Sequence, residues 1–385
     1  MPARRLPVDV AGTQAAAPMM SGLRVRHAGN LDELSRWMPQ WNALADAQAL
    51  PMLRYEWFAA AERHLARPGS TRVLYVLDGD ENLTAALPLE RTSDDRGRIT
   101  YQILGHARLH EPTDLLSLHD VARYELIRAA ASLGHPVVLS RLWPRVVNGV
   151  PCADAPAGGS KLRKHGIEIG KPTVPSQYLA LSGDYEAYSG QLSSRHRYDI
   201  RRAYRRAAAA GDIAVEFIRP DPGALQPLLD TAFEVESHGW KGVQRSSVMA
   251  NTDLRGFFGQ LLCNCAEEGK VLTALLRIGS TPAAAQICLI AHERIWILKI
   301  GYDEAFEKVS PGLILMNELI RYGHQNRLCA IEFLGSAEPW LEPWRPAVRE
   351  YRLLAMYPYG LRSLTRLGLD LGAHFLRRAR RTNRS

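Results

Sequence analysis

Two rhythms of apolar spacing take turns along this chain. A short alternating run over 24–29 reads as a strand, and two segments of helical spacing follow it, the second being YEWFAAAERHL. β-Branched and aromatic residues then gather in TRVLYVLDGD, LTAALPLER and ITYQILG, each bounded by turn formers, which predicts three strands. A helix over about 120–133 and the strand PVVLSRLW complete this half. The stretch NGVPCADAPAGGSKLRKHG, rich in Gly, Pro and Ala, reads as a linker or a long surface loop. The second half repeats the order. YLALSG predicts a strand, 184–210 a long helix and IAVEFIRP a strand, and two helices follow over about 223–237 and 253–268. KVLTALLRIGS, PAAAQICLIA and IWILKIGYD read as a meander, a helix after Ser310 leads into CAIEFLG, and YRLLAMYP is the last strand. The recurring order predicts an α/β (α+β) fold of two domains, each a mixed, mostly antiparallel sheet flanked by helices.

At 385 residues two domains of ordinary size are expected. The boundaries fall at a disordered leader over 1–22, domains over 23–176 and 177–360, and a basic amphipathic tail over 361–385. The leader has arginines but no continuous apolar stretch, so it is not read as a secretion signal. No apolar run reaches the roughly 18 residues of a spanning helix. Cys152, Cys263, Cys265, Cys288 and Cys329 form no CxxC pair, which points to reduced thiols and a cytoplasmic setting.

The net charge of +8 resembles a nucleic-acid signal until it is located. Six arginines between Arg195 and Arg206 oppose only Asp199, and seven in the tail oppose only Asp370; the rest of the chain is slightly negative. The arginine helix is read as a solvated face or a surface for an acidic partner. In the tail, Leu361, Leu364, Leu367, Leu371 and Phe375 fall near one helix face. That pattern fits an anionic membrane surface or a helix docked on the body.

Candidate chemistry concentrates in IWILKIG-YDEAFEKVSPG-LILM. Pro311 is suited to the first helical turn, and Ser310 stands where an N-cap is expected. A strand, a polar loop and a capped helix aim backbone N–H groups and a positive helix end at one point, which suits a phosphate. An ordinary strand-to-helix connection has the same pattern. The run HARLHEPTDLLSLHD (His106, His110, Glu111, Asp114, His119) invites a metal reading. Pro112 breaks a helix that would align His106 with His110, so no metal site is expected.

Taken in order, ESHGWKG (236–242), LKIGYDEAFEKVSPGLIL (298–315) and IEFLGSAEPWLEPW (331–344) resemble the GNAT-type acyltransferases of the CelD/BioF2-like group, relatives of the Fem peptidoglycan aminoacyltransferases. WNALADAQALPMLRYEWFAAAERHL and the arginine helix extend the likeness over about 24–360. The resemblance implies two GNAT-like domains in tandem and transfer of an acyl group, acetyl first, from coenzyme A to an amine on a small-molecule, sugar or envelope-type acceptor. It also implies that Lys308, Val309, Ser310, Gly312 and Leu313 receive the donor's pyrophosphate, although EKVSPG has less glycine and arginine than the usual cradle. Lys299 interrupts an apolar strand and is a candidate for an oxyanion or an acceptor carboxylate, with a solvated outer face as the plainer reading. Tyr302 is the candidate acid for the leaving thiolate. Asp303, Glu236 and Glu338 are candidates to receive the amine proton or hold the amine, while a turn aspartate such as Asp303 also bonds its own loop. Trp240, Lys241 and Trp340 are assigned with Glu236 to the acceptor pocket, and Leu341 replaces a cation common in the family. Two other readings stand beside this one: a Fem-like transfer from aminoacyl-tRNA, with the arginine helix on RNA, and an idle accessory of polysaccharide biosynthesis at the membrane.

Overall fold

A computed structural model describes residues 22–144, 146–147, 150–151, 164–239 and 248–382, with side chains in the last helix described as far as Gly372. In the first half β1 (Arg24–Ala28), β2 (Thr71–Leu77), β3 (Leu83–Ser93) and β4 (Ile99–Ile103) form an antiparallel meander. A two-residue β5 (Leu116–Ser117) pairs with β3, and β6 (Val137–Leu142) joins β4 in parallel. β7 (Val146–Val147) and β8 (Val150–Pro151) make a separate small ladder. The linker expected over 148–166 otherwise lies largely outside the described residues.

The second half opens with β10 (Ser176–Ala180) and continues with β11 (Ile213–Ile218), β12 (Val271–Ile278), β13 (Thr281–Ala291), β14 (Arg294–Tyr302), β15 (Ala330–Glu332) and β16 (Ala347–Arg349). Their order is β11-β12-β13-β14-β15-β10-β16, and β14 with β15 is the parallel pair. Both halves therefore build a mostly antiparallel sheet with one parallel step, as the repeated element order predicts.

The last strand departs from that expectation. β17 (Arg352–Pro358) leaves the C-terminal half and inserts between β6 and β9 (Gly166–Pro172), giving the first sheet the order β1-β2-β3-β4-β6-β17-β9. Leu354 pairs with Leu139 on one side and Gly170 on the other, and Leu354 and Met356 bury in the first core. Without this strand β6 and β9 would face each other across an unpaired gap, with buried backbone groups lacking partners.

Helices α1 (Met38–Ala47), α2 (Tyr55–His64), α3 (His106–Leu109) and α4 (Asp120–Ala131) belong to the first half. The segment read as one helix over 184–210 is two, α5 (Tyr185–Gln191) and α6 (Ser194–Ala210). Leu192 and Ser193 are extended, and the Ser193 hydroxyl accepts from the His196 N–H at 3.1 Å, so an internal N-cap starts the second helix. α7 (Pro222–Ser237) and α8 (Thr252–Glu267) cover one face of the second sheet, while α6 and α9 (Pro311–Gln325) cover the other.

The halves share one core, where Trp57 of α2 meets Phe257 of α8 edge-on at 5.2 Å. Arg54, at the start of α2, holds Asp46 and Glu56 of its own half and Glu268 of the other. The final helix α10 (Leu361–Thr382) docks on the first sheet through Leu367 and Ser363; Tyr357 donates to Asp370 at 2.9 Å, and Arg366 pairs with Asp94 at 2.9 Å. Leu361, Leu364 and Leu371 point outward, so the apolar face read from the tail is divided between the body and solvent. Phe375 lies beyond the described side chains. Among the described residues no helix is long and apolar enough to cross a membrane.

Candidate active site

β14 owes its sharply apolar start to its central place in the second sheet, and it loses a neighbour halfway along. Its ladder to β15 covers Arg294–Ala330, Ile295–Ile331 and Trp296–Glu332; beyond these pairs the two strands part while β14 runs on to Tyr302. On its other edge, Ile287 pairs with Lys299 and Cys288 with Ile297, leaving Leu298 as the extra residue of a bulge. A bulge re-aims the side chains after it. Lys299 turns to the α7/α8 face, with Nζ 4.8 Å from the centre of the Phe258 ring. Tyr302 turns to the α6/α9 face among Ile314 and Leu315.

Gly301 lies between them because nothing larger fits. A Cβ there would stand 2.7 Å from the Glu236 Cα, so the end of α7 presses directly on β14. Glu236 itself is buried, and its carboxylate accepts from the Val248 N–H at 3.2 Å. Trp240 and Lys241, assigned with it to the acceptor pocket, lie outside the described residues.

The loop after β14 corrects one detail of the sequence reading. Ser310 does not cap α9 with its side chain; it adopts a left-handed conformation at φ 56°. Its N–H closes the preceding 3₁₀ turn (Glu304–Val309) on the Glu307 carbonyl at 3.0 Å, so one residue ends that turn and starts the next helix. Its carbonyl accepts from the Leu313 N–H at 3.1 Å. Pro311 has no N–H, and the Gly312 N–H meets no acceptor among the described residues. A Cβ on Gly312 would lie 3.6 Å from the Tyr302 ring. Val309 and Leu313 pack into the core beneath, Lys308 is exposed, and the Lys308 carbonyl accepts from Arg206 of α6 at 3.2 Å.

Burial, reinforced by Glu307 and Glu304, raises the Tyr302 phenol above its ordinary value. It therefore stays protonated and able to donate at neutral pH. Asp303 is fully engaged: one oxygen accepts from the Ala305 N–H at 2.8 Å and the other lies 3.0 Å from Nδ1 of His238. Glu338 is exposed and bonds Ser336 in its own loop at 2.9 Å, and Trp340 beside it is half exposed.

On the Lys299 face the first half contributes a group that the sequence offered only as a candidate metal ligand. Glu111 accepts from the Gly335 N–H at 3.4 Å, in the loop that follows β15. Its carboxyl is closely surrounded by protein, and desolvation raises its pKa although Arg141, Lys299 and the Gly335 N–H pull the other way. Arg141 straps the two halves together, donating to the His110 carbonyl and the Gly335 carbonyl, each at 2.5 Å, with its guanidinium over the Tyr351 ring. It does so from a left-handed backbone (φ 53°), and its buried Nε finds no partner among the described residues. The short turn of α3 forms ahead of Pro112 after all and brings the His106 and His110 rings to 5.9 Å. Burial, with help from His110 and Arg141, pushes His106 down to about 4, so it is neutral at physiological pH.

The opposite face holds an overlooked group. Gln286 of β13 lies opposite Ile300, between Ala284 and Cys288, which both pack on the α6/α9 side. Its amide is buried, and neither its nitrogen nor its oxygen has a hydrogen-bond partner among the described residues. Apolar neighbours surround it in the sequence, and only the buried, unpaired amide distinguishes it.

Comparison with known proteins bears on the fold and on part of the chain. Residues 194–341 match the family described as an acetyltransferase (GNAT) domain. No curated protein sequence matches the chain. The structure of FemX superposes with a TM-score of 0.56 at 11% identity, covering 82% of this chain and 95% of FemX. The C-terminal DUF2156 domain of a proposed lysylphosphatidylglycerol synthetase from Agrobacterium fabrum gives 0.52 at 12% identity, covering 88% and 96%. A tandem GNAT protein from the clavulanic acid biosynthesis pathway gives 0.48 at 14% identity, covering 88% and 99%. Residues 194–341 thus match the acetyltransferase (GNAT) domain family, and the two-sheet fold of the chain is shared with FemX.

Proposed function

We propose that this protein moves an acyl group from an acyl-CoA thioester to an amine on a small-molecule or sugar acceptor. The donor lies on the α9 face of β14, and the acceptor enters from the Lys299 side. The observation that carries this reading is the parting of β14 from β15, with Lys299 on one face of the freed strand and Tyr302 on the other.

The donor-side residues fit a phosphorylated thioester. The Gly312 N–H at the start of a helix without a side-chain cap offers an unused donor to a pyrophosphate, and Lys308 adds a mobile charge. Gln286 offers both halves of an unpaired amide, the partner an amide-containing chain requires. Bound there, the donor supplies an activated carbonyl.

The chain's own groups divide the remaining work. Glu111, ionised, takes the proton of the attacking amine. The Lys299 ammonium stabilises the negative charge that develops on the carbonyl oxygen as the C–N bond forms. As the C–S bond breaks, Tyr302 gives its proton to the sulfur, a role its raised pKa supports.

Titration calorimetry of acetyl-CoA and CoA tests this. Wild type binds, and Gly312→Trp weakens binding at least tenfold. Gln286→Leu weakens it by about tenfold, the size of one lost hydrogen bond, yet raises the melting temperature because a buried unpaired amide is gone. If wild type binds neither ligand, the thioester donor is wrong, and aminoacyl-tRNA becomes the donor to test.

A further inference from the structure

A second concave site lies away from β14. It sits on the outer side of α5, α6 and α9, has a volume of about 820 Å³, and is lined by none of the groups assigned above. Arg197, Arg201 and Arg205 line it from α6, and Arg321 lines it from α9. The four-residue spacing puts the α6 arginines on one face of the helix, and the turn at Leu192–Ser193 folds α5 back to form a wall.

The charges in this cavity are poorly balanced. Arg321 pairs with Glu318 at 2.8 Å and stacks over Tyr185, so its charge is answered. Arg197 is held by the Gly190 and Leu192 carbonyls, which fix its position without neutralising it. Arg201 and Arg205 are exposed and meet no carboxylate among the described residues. Three uncompensated cations converge on one concave site, where a ligand with a single negative charge would leave two of them unanswered.

The remaining lining is aromatic and rigid. Asn317 is buried; it accepts from the Tyr185 hydroxyl at 2.6 Å and donates to the Tyr204 hydroxyl at 3.3 Å, fixing both rings. Tyr198 presents a half-exposed face at the rim. Held rings beside unneutralised guanidinium groups suit a planar heterocycle carrying two or more phosphate charges. The volume falls in the range of small-molecule sites, and walls from three helices confine a compact ligand rather than a long strand.

We propose that this cavity binds a nucleoside phosphate, with Arg201 and Arg205 on the phosphates and the tyrosines beside the base. The site is separate from the acyl-transfer cleft, and the proposal holds whether or not that cleft uses a thioester. A free nucleotide and the nucleotide end of a larger cofactor present the same chemistry here.

The test is calorimetric titration of ADP, adenosine 3′,5′-bisphosphate and inorganic pyrophosphate into the full-length protein. Arg201→Gln/Arg205→Gln, Arg201→Lys/Arg205→Lys and Gly312→Trp are run in parallel. We expect a nucleotide to bind wild type at least tenfold more tightly than pyrophosphate. The Gln pair should lose at least tenfold, the Lys pair should retain most of the affinity, and Gly312→Trp should leave it unchanged. Preference for the 3′,5′-bisphosphate over ADP would identify the cofactor end as the source, and the reverse a free nucleotide. No binding, equal affinity for pyrophosphate, or affinity unchanged in the Gln pair would overturn the proposal. So would binding of single-stranded RNA with none of a free nucleotide.

Discussion

Glu111 is the residue whose behaviour most depends on where the fold puts it. A carboxyl whose pKa is raised is protonated, and idle as a base, over a wider acidic range. The rate of acyl transfer should therefore rise with pH through a value above the ordinary carboxyl range. Glu111→Gln should lower kcat/KM by about 10²–10⁴-fold and abolish that acidic limb, with donor binding intact. A pH–rate profile with the limb unchanged in the variant would assign the base elsewhere. Lys299 stood out in the sequence because it breaks an apolar strand pattern, Tyr302 through the family resemblance, and the Ser-Pro-Gly loop because Pro and Gly punctuate it. Glu111 stood out only within a metal-like run, and Arg141 and Gln286 not at all, since what distinguishes them is desolvation and contact with residues far along the chain. The expected Ser310 cap failed for a related reason: closing the 3₁₀ turn and capping the helix demand different backbone conformations of one residue.

Among the elements, the junction of α1, α2 and α8 carries the clearest energetic consequence. Arg54 is buried and answers three carboxylates, and their pull raises its pKa against the opposing desolvation. Arg54→Ala would leave Asp46, Glu56 and Glu268 facing one another across the seam. Asp46 and Glu268 reach solvent in part, so the expected cost is about 2–4 kcal/mol, at or just below the range for breaking a buried pair. Thermal denaturation checks this, and a melting temperature unchanged within a degree or two would show the seam to be held by apolar packing alone. Helical spacing announced α2 and α8 in the sequence, whereas their contact across the seam is set by the tertiary fold. The break between α5 and α6 was hidden because apolar spacing continues through Leu192, and only Ser193 marks the new start.

For the whole molecule, β17 makes the two halves inseparable. A sequence pattern assigns a strand to its neighbours in the chain, and YRLLAMYP follows the C-terminal elements without any signal that it crosses back. Residues 22–172 alone lack the strand between β6 and β9. This fragment should be insoluble or unfolded by circular dichroism, and residues 346–382 supplied as a second chain should restore it. A stably folded 22–172 would show β17 to be an addition to a complete sheet. In the proposed reaction β14 separates an acyl donor on the α9 face from an acceptor on the Lys299 face. The most direct measurement is a crystal structure with an unreactive acetyl-CoA analogue. The pyrophosphate should lie against the Gly312 N–H and the acyl group at the point where β14 leaves β15, with Lys299 across the strand from the pantetheine. An analogue bound on the Lys299 face, or away from β14, would contradict it.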